Sequence, residues 1–367
     1  MSNKKNILVY GAGAIGRGYI PWLFNPSDYT LSFVEQDESI RNLMLENKTF
    51  KTFMTTDVGY KELICNPHNC FMPGEENPLD YDGIITAVGP RQIFDLRDTL
   101  SKAKCPVLFF ENDASLPEKL MSLTGNDNFF FGIPDVITSN TAPQSLKDLD
   151  PLAIVTENGT CFSDQGASII SGDIAYVDNA ELHKQWMAKL YMHNTPHCIA
   201  AYLGAMIGKE FLHEGMINQR IYSIVQGAMA EMEDTIVDLY GIDREFASWY
   251  GHKELDRFSN EFLFDPISRV AREPFRKLGL SDRLIGAAQL CLSAGKIPEN
   301  ILLGIMAAFL YDEVKDEDFH IKILIDALDP GDFLQLIINL NPHEALYKVM
   351  IDRWENLKNI IGDIENE

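Results

Sequence analysis

The stretch NILVYGAGAIGRGYI, residues 6–20, leaves few folds open. A short apolar run, Asn6 to Tyr10, is cut off by three glycines at GxGxxG spacing: Gly11, Gly13 and Gly16. A helix-compatible pattern follows, and Glu35 ends the next apolar run 19 residues after Gly16. Strand, tight turn, helix and then an acid, in that order, is the fingerprint of a dinucleotide-binding βαβ unit. The glycines let the backbone of Gly11, Ala12, Gly13, Ala14, Ile15 and Gly16 approach a pyrophosphate at the helix N-terminus. Glu35 is suited to accept hydrogen bonds from the adenosine ribose diol. Its charge repels a 2′-phosphate, so NAD is expected rather than NADP.

The same alternation continues. Leu31–Glu35, Gly83–Val88, Pro106–Glu111 and Asn128–Ile133 are further apolar runs, separated by polar, helix-compatible stretches. That pattern predicts a parallel sheet covered on both faces. TAVGP, Thr86 to Pro90, closes one run with a turn. Strand ends are where open α/β sheets bind ligands, which adds Val88 and Gly89 as cofactor contacts. The segments LAIVTENGTCFSD and ASIISGDIAYVD alternate more and carry Asn-Gly and Ser-Gly steps, which predicts a hairpin-like addition. From about Glu181 strand signals nearly vanish. Ile221, Ile224, Val225, Ala228 and Met232 recur at helical spacing, Gly241 is placed to stop that helix, and helical patterns continue in 281–294, 298–311, 316–328 and 342–362. The expected organisation is α/β: a Rossmann-like doubly wound sheet over residues 1–181 and an all-helical domain over residues 182–367.

The chain has 367 residues and a formal net charge of −23, a poor match to nucleic acid or an anionic membrane surface. No run approaches the ~20 apolar residues of a spanning helix, and the N-terminus lacks the pattern of a signal peptide. A cytoplasmic protein is expected. Its six cysteines then read as reduced and partly buried. CNPHNC, Cys65 to Cys70, fits no common zinc spacing and reads as a surface turn; no metal is expected.

KLYMHNTPHC, residues 189–198, sets Lys189, Asn194 and His197 at offsets 0, +5 and +8. On an α-helix, offset +8 returns near the face of Lys189 and +5 does not. Pro196 disfavours helical geometry in the residue before it, so a helix break is expected at Asn194-Thr195-Pro196. A break there aims all three polar groups at one point. Singly, each reads as surface charge, cap and structural histidine. His193 and the remaining histidines read as structural or surface.

Those residues, with GAGAIGRGYI, TAVGP, EN at Glu111-Asn112, QGAMAE and RFSNEFLFDPISRVAREPFRKLGLSDRLIG, resemble the polyol-specific long-chain dehydrogenases along nearly the whole chain. The phosphate-substrate members, the mannitol-1-phosphate 5-dehydrogenases, are the most similar. The resemblance implies a Rossmann-like domain joined to a helical one, with the active site between them. It implies metal-independent hydride transfer between NAD and a small-molecule polyol or sugar phosphate, here mannitol 1-phosphate and fructose 6-phosphate, by a monomer or weak dimer. It casts Lys189 as general base, Asn194 as oxyanion donor and His197 as the histidine orienting substrate hydroxyls. Arg269 and Lys277 become active-site cations, and Glu111 and Asn112 lie with the cofactor. Two departures stand out. Asp135 is followed by Ser139-Asn140 where the family has an Asp-Arg pair, and Pro196 stands where it has glycine.

The chemistry agrees with those roles. A lysine with a reference pKa of about 10.4 must be lowered to act as a base near neutral pH, and burial beside other cations does this. Residues 257–283 hold six cations against four carboxylates, a positive island in an acidic chain. Arg272 and Arg276, placed on one face if the segment is helical, are the expected phosphate grip, since forked donors suit a phosphate dianion. The alternatives are a dehydrogenase of another polyol, sugar phosphate or sugar acid, and a catalytically inactive NAD-binding regulatory protein.

Overall fold

The computed structural model describes residues 4–168, 170–312 and 320–366. Among the described residues, eleven strands lie in the first half: β1 Lys5–Tyr10, β2 Tyr29–Val34, β3 Phe50–Thr56, β4 Gly59–Cys65, β5 Asn69–Phe71, β6 Gly83–Thr86, β7 Val107–Phe109, β8 Phe129–Pro134, β9 Ile154–Thr156, β10 Cys161–Asp164 and β11 Ala175–Val177. The larger sheet runs β11-β10-β8-β7-β6-β1-β2-β5, parallel from β8 to β5. Alternate residues of one strand serve different cores, as a two-residue period requires. Ile7 and Val9 of β1 join one apolar cluster and Leu8 and Tyr10 the other. Ile85 and Leu108 follow the first pair, Ile84 and Val107 the second. Near-continuous apolar strands are what a sheet buried on both faces demands.

The chain order reverses between β1 and β6, the switch point where such sheets bind ligands. The backbone brings the two loops there into contact. Gly11 N–H donates to the Val34 carbonyl at 2.8 Å, and Ala87 N–H to the Tyr10 carbonyl at 2.8 Å.

The expected hairpin is absent. β9 pairs in parallel with β3 in a separate sheet ordered β4-β3-β9, β10 runs antiparallel to β8, and β11 runs parallel to β10. Each of these short strands found an open edge elsewhere, and the Asn-Gly and Ser-Gly steps serve as plain loops. The surface-turn reading of CNPHNC also needs correction. Cys65 ends β4 and Cys70 sits in β5, both buried, with only the segment between them outward. All six cysteines are buried and unbridged.

Two compact units emerge, Met1–Trp186 with Phe262–Phe264, and Met187–Glu261 with Asp265–Glu367. In the second, the helix Asn194–Met206 is buried through every residue from Asn194 to Gly204. It packs against the helices Gln219–Tyr240, Ile267–Ala271 and Glu299–Leu310. Asn218 caps Gln219–Tyr240 through the N–H groups of Arg220 and Ile221, and Gly241 ends it at φ +62°, as its position suggested. Helices also occupy Ile285–Ser293, Ile321–Ala327 and Ala345–Glu365; the start of the 316–328 pattern lies outside the described residues. No described helix is long and apolar enough to cross a membrane.

Candidate active site

The glycine loop has no room for side chains. Gly11 adopts φ +90°, and a Cβ there would stand 2.6 Å from the Ala87 carbonyl oxygen. A Cβ on Gly16 would stand 1.7 Å from the Gly11 carbonyl oxygen. Gly13 differs: a Cβ on it would meet nothing within 4 Å, which leaves open space over the loop. Ala14 and Ile15 start the helical turn Ala14–Tyr19. Glu35 is buried and braces the loop, accepting from Ala12 N–H at 2.8 Å and Asp37 N–H at 2.9 Å. Arg17, unremarked in the sequence, is buried beside this acid. Burial holds its guanidinium below the ordinary arginine range, with Glu35 opposing, and its Nε and Nη1 have no hydrogen-bond partner among the described residues.

Glu111 fixes the second loop. Its carboxylate accepts from Val88 N–H at 3.0 Å and Gly89 N–H at 2.9 Å. Burial pushes its pKa up to about 7, against the pull of those two donors. Its visible work is therefore to shape the Val88-Gly89 turn. Asn112, next to it, is exposed.

In the second unit the expected helix break does not occur. Ala188–His193 is a π-helical turn that runs directly into Asn194–Met206, with Asn194 itself helical at φ −65°. Asn194 N–H donates to the Lys189 carbonyl, an i→i−5 bond. This wider turn accommodates Pro196 inside a continuous helix and brings offset +5 onto the face of Lys189. An inserted residue, in place of a break, keeps the three residues on one continuous helical segment. Lys189, Asn194 and His197 are all buried, at 9%, 6% and 6% exposure. The Asn194 Nδ2 donor is fully occluded and has no acceptor among the described residues. A buried donor left unpaired costs roughly 1–3 kcal/mol, so the fold carries this amide at an energetic penalty.

His197 is anchored from behind. Its Nε2 lies 2.9 Å from Asp265 Oδ2, and Arg269 binds the other oxygen of the same carboxylate, with Nη2 at 2.6 Å. Burial pushes His197 down, with Asp265 opposing. Burial also raises Asp265, but Arg269 and His197 together hold it below the ordinary carboxylate range. Thr195 is spent structurally, its hydroxyl donating to the Arg283 carbonyl at 2.6 Å.

The cationic segment is not one helix. Arg272 closes the helix Ile267–Ala271, Glu273 turns the chain at φ +56°, and a new turn starts at Pro274. Arg272 and Arg276 therefore do not share a helical face. Arg276 is committed to Glu273 at 3.1 Å and Asp282 at 3.3 Å, and Arg283 to Asp282 at 2.8 Å. Arg257 is bound to Glu254. The Arg272 guanidinium makes no hydrogen bond among the described residues. Burial and then Arg269 hold it below the ordinary range. Lys277 is buried, with its Nζ donating to the Arg272 carbonyl, and burial followed by Arg283 places it well below an ordinary lysine.

Of the departures, Ser139 is fully buried with its hydroxyl donating to the Phe264 carbonyl at 2.7 Å, Asn140 is exposed, and Asp135 is buried after β8. Among the described residues no group of three or more histidines, cysteines or acids is gathered for a metal. His193 reads in the sequence only as a structural or surface histidine. It is buried with Nδ1 at 2.5 Å from Glu254 Oε2, and it was not set apart from the other histidines. Its only local signal was a second histidine in HNTPH; Glu254 is 61 residues away.

A doubly wound sheet with this glycine loop, followed by a helical unit with buried lysine, asparagine and histidine, defines a two-unit dehydrogenase. Comparison with known proteins narrows the class. Residues 181–361 match the mannitol dehydrogenase C-terminal domain. The chain is 29% identical over 379 residues to the mannitol-1-phosphate 5-dehydrogenase of Geobacillus stearothermophilus, covering 95% of this chain and 99% of that one. It is 28% identical over 338 residues to the enzyme of the same name from Caldanaerobacter subterraneus subsp. tengcongensis, covering 84% and 87%. Its second half is thus similar to the C-terminal domain of mannitol dehydrogenases, and most of its length to the mannitol-1-phosphate 5-dehydrogenases. Its fold is that of the Pseudomonas fluorescens mannitol 2-dehydrogenase, solved as a ternary complex with NAD and D-mannitol, with TM-score 0.78 at 14% identity over 100% of this chain and 94% of that one. A substrate-free D-sorbitol dehydrogenase matches at TM-score 0.62 and 13% identity, over 98% and 95%.

Proposed function

We propose that this protein is an NAD-dependent dehydrogenase that interconverts mannitol 1-phosphate and fructose 6-phosphate, with Lys189 as general base. The observation that carries the reading is the Asn194 amide, a buried donor without an acceptor among the described residues, which an i→i−5 turn carries on the same helical segment as the buried Lys189.

The residues present fit NAD. Gly11 and Gly16 exclude side chains where a pyrophosphate needs backbone, Gly13 opens onto free space, and Glu35 sits where it can receive a ribose diol. Gly11–Gly16, Glu35, Val88 and Gly89 would hold the cofactor, with Glu111 positioning the last two. Bound NAD supplies the hydride acceptor for alcohol oxidation. The chain supplies the rest. Lys189 takes the hydroxyl proton, for which it must be uncharged at rest. Asn194 donates to the oxygen as its charge grows, a contribution worth about 10²–10³ in rate in other enzymes. His197, fixed by Asp265 and Arg269, orients a neighbouring hydroxyl through its remaining nitrogen. Arg272 is the phosphate grip, because Arg276 and Arg283 are already paired with acids and Lys277 points at a carbonyl.

Steady-state reduction with NADH tests this reading. Fructose 6-phosphate should be turned over far better than free fructose, and Arg272→Ala should erase much of that preference. Faster turnover of free fructose refutes the phosphate assignment. The Ser139-Asn140 departure favours one second reading, a dehydrogenase of a different polyol or sugar acid. A panel of ketose phosphates, ketoses and keto-acids separates the two.

A further inference from the structure

Two histidines, not one, are buried at the head of the Asn194–Met206 helix. His193 is 5% exposed and places Nδ1 2.5 Å from Glu254 Oε2. Glu254 is fully buried, and its other oxygen is bound by Arg257 and, at 3.2 Å, by Lys253 Nζ. A carboxylate held this firmly sets the imidazole tautomer: Nδ1 carries the proton and donates it, so Nε2 presents a lone pair. That nitrogen makes no hydrogen bond among the described residues. The ring lies 4.9 Å from that of His197, and Phe258 supports both, at 5.5 Å and 5.0 Å. Lys189 precedes His193 on the same π-turn and Asn194 follows it.

We propose that His193, held by Glu254, is a second substrate-binding histidine whose Nε2 accepts a hydrogen bond from a hydroxyl of the polyol or keto-sugar. The inference rests on the sugar-phosphate dehydrogenase reading above. Every hydroxyl of a polyol loses water on entering a buried site and needs a new partner there. A site built to bind a particular hydroxyl rejects analogues that lack it. The groups facing His193 are Glu254, Arg257, Lys253 and His197. Burial outweighs the attraction of Glu254 and pushes the His193 pKa down to about 4, which leaves the lone pair available at neutral pH. The two histidines then differ in reach. His197 spends Nε2 on its carboxylate, whereas His193 spends Nδ1 and keeps the outer nitrogen.

The test compares wild type, His193→Leu and His193→Gln on fructose 6-phosphate and its 1-, 3- and 4-deoxy analogues, with NADH. The expected result is a loss of kcat/KM on the order of tenfold in His193→Leu, mainly in KM, with NADH affinity unchanged and partial recovery in His193→Gln. On one deoxy analogue the loss should disappear, because the hydroxyl that His193 binds is already missing. An equal loss on every analogue makes His193 merely structural and overturns the inference, as does no loss at all. If His193→Leu fails to fold, His193→Gln gives the same comparison across analogues. Wild-type protein inert on fructose 6-phosphate overturns the functional reading and this inference with it; an active wild type with a uniform loss overturns the inference alone.

Discussion

In the proposed site, Gly11–Gly16 would act through backbone N–H groups, and side chains matter by their absence. Ala188–Asn194 would act through side chains, and the backbone matters by its extra residue per turn. The first device is local: three glycines within six positions and one acid in the next strand suffice. The second depends on distant partners. His193 needs Glu254, His197 needs Asp265, and Asp265 needs Arg269, so the constellation exists only once three helices have packed. A backbone cradle is robust to what surrounds it and fragile to any added Cβ. A side-chain constellation is tolerant of small packing changes and fragile to loss of one functional group.

The largest expected effect separates the two directly. Lys189→Ala should cut turnover by about 10²–10⁴ while NADH affinity stays near wild type, because only the second unit is touched. Stopped-flow NADH binding beside steady-state rates checks it, and surviving activity would place the base elsewhere. Gly16→Ala should do the reverse. A methyl group 1.7 Å from the Gly11 carbonyl oxygen must distort the loop, so NADH affinity should fall sharply while the isothermal signature of the helical unit, followed by hydrogen exchange, stays unchanged. Exchange that rises equally in both units would show that the loop is a folding element rather than a cradle.

The smallest effect is in the pH dependence of stability, where the two units should carry opposite signs. Burial raises Glu111 from 4.5 to about 7, so the folded protein binds more protons than the unfolded chain in that window. Its contribution is fully present below about 4.5 and is lost as pH rises through about 7. Burial lowers His193 from 6.5 to about 4, so there the unfolded chain binds more protons. Its contribution is present above about 6.5 and is lost as pH falls toward about 4. Urea melts across this range should show Glu111→Gln flattening the decline on the alkaline side and His193→Leu flattening the decline on the acid side. The slopes carry the information, since both substitutions also lower stability at every pH.

How legible was each part? The parallel strands were readable because apolar runs of four to six residues between glycine-rich turns have few other uses. β1, β2, β6, β7 and β8 all lie within the expected segments or a residue or two from them. β9, β10 and β11 were recognised as strands but mispaired. A three-residue strand carries no information about which edge it will meet, and parallel pairing to a distant partner competes well with a local hairpin. Pro196 was read as a helix breaker because the rule assumes an α-helical hydrogen-bond ladder, and the π-turn changes that ladder just before the proline. The arginine island was legible as charge but not as pairing. Whether Arg272 or Arg276 remains available depends on a positive φ at Glu273 and on Asp282, neither of which charge counting can weigh.

By itself the sequence determined what local geometry enforces: a glycine loop after a strand, an acid closing the next strand, a helical second half, and a lysine, asparagine and histidine within nine residues. Tertiary structure decided which of the polar groups are available. Burial removed water from Lys189, Asn194, His193 and His197 alike, carboxylates 61 and 68 residues along the chain claimed one nitrogen of each histidine, and the Asn194 Nδ2 has no acceptor among the described residues. The physical reason is that a hydrogen-bond donor has meaning only relative to the acceptors that folding brings within about 3 Å of it, and those acceptors come from anywhere in the chain.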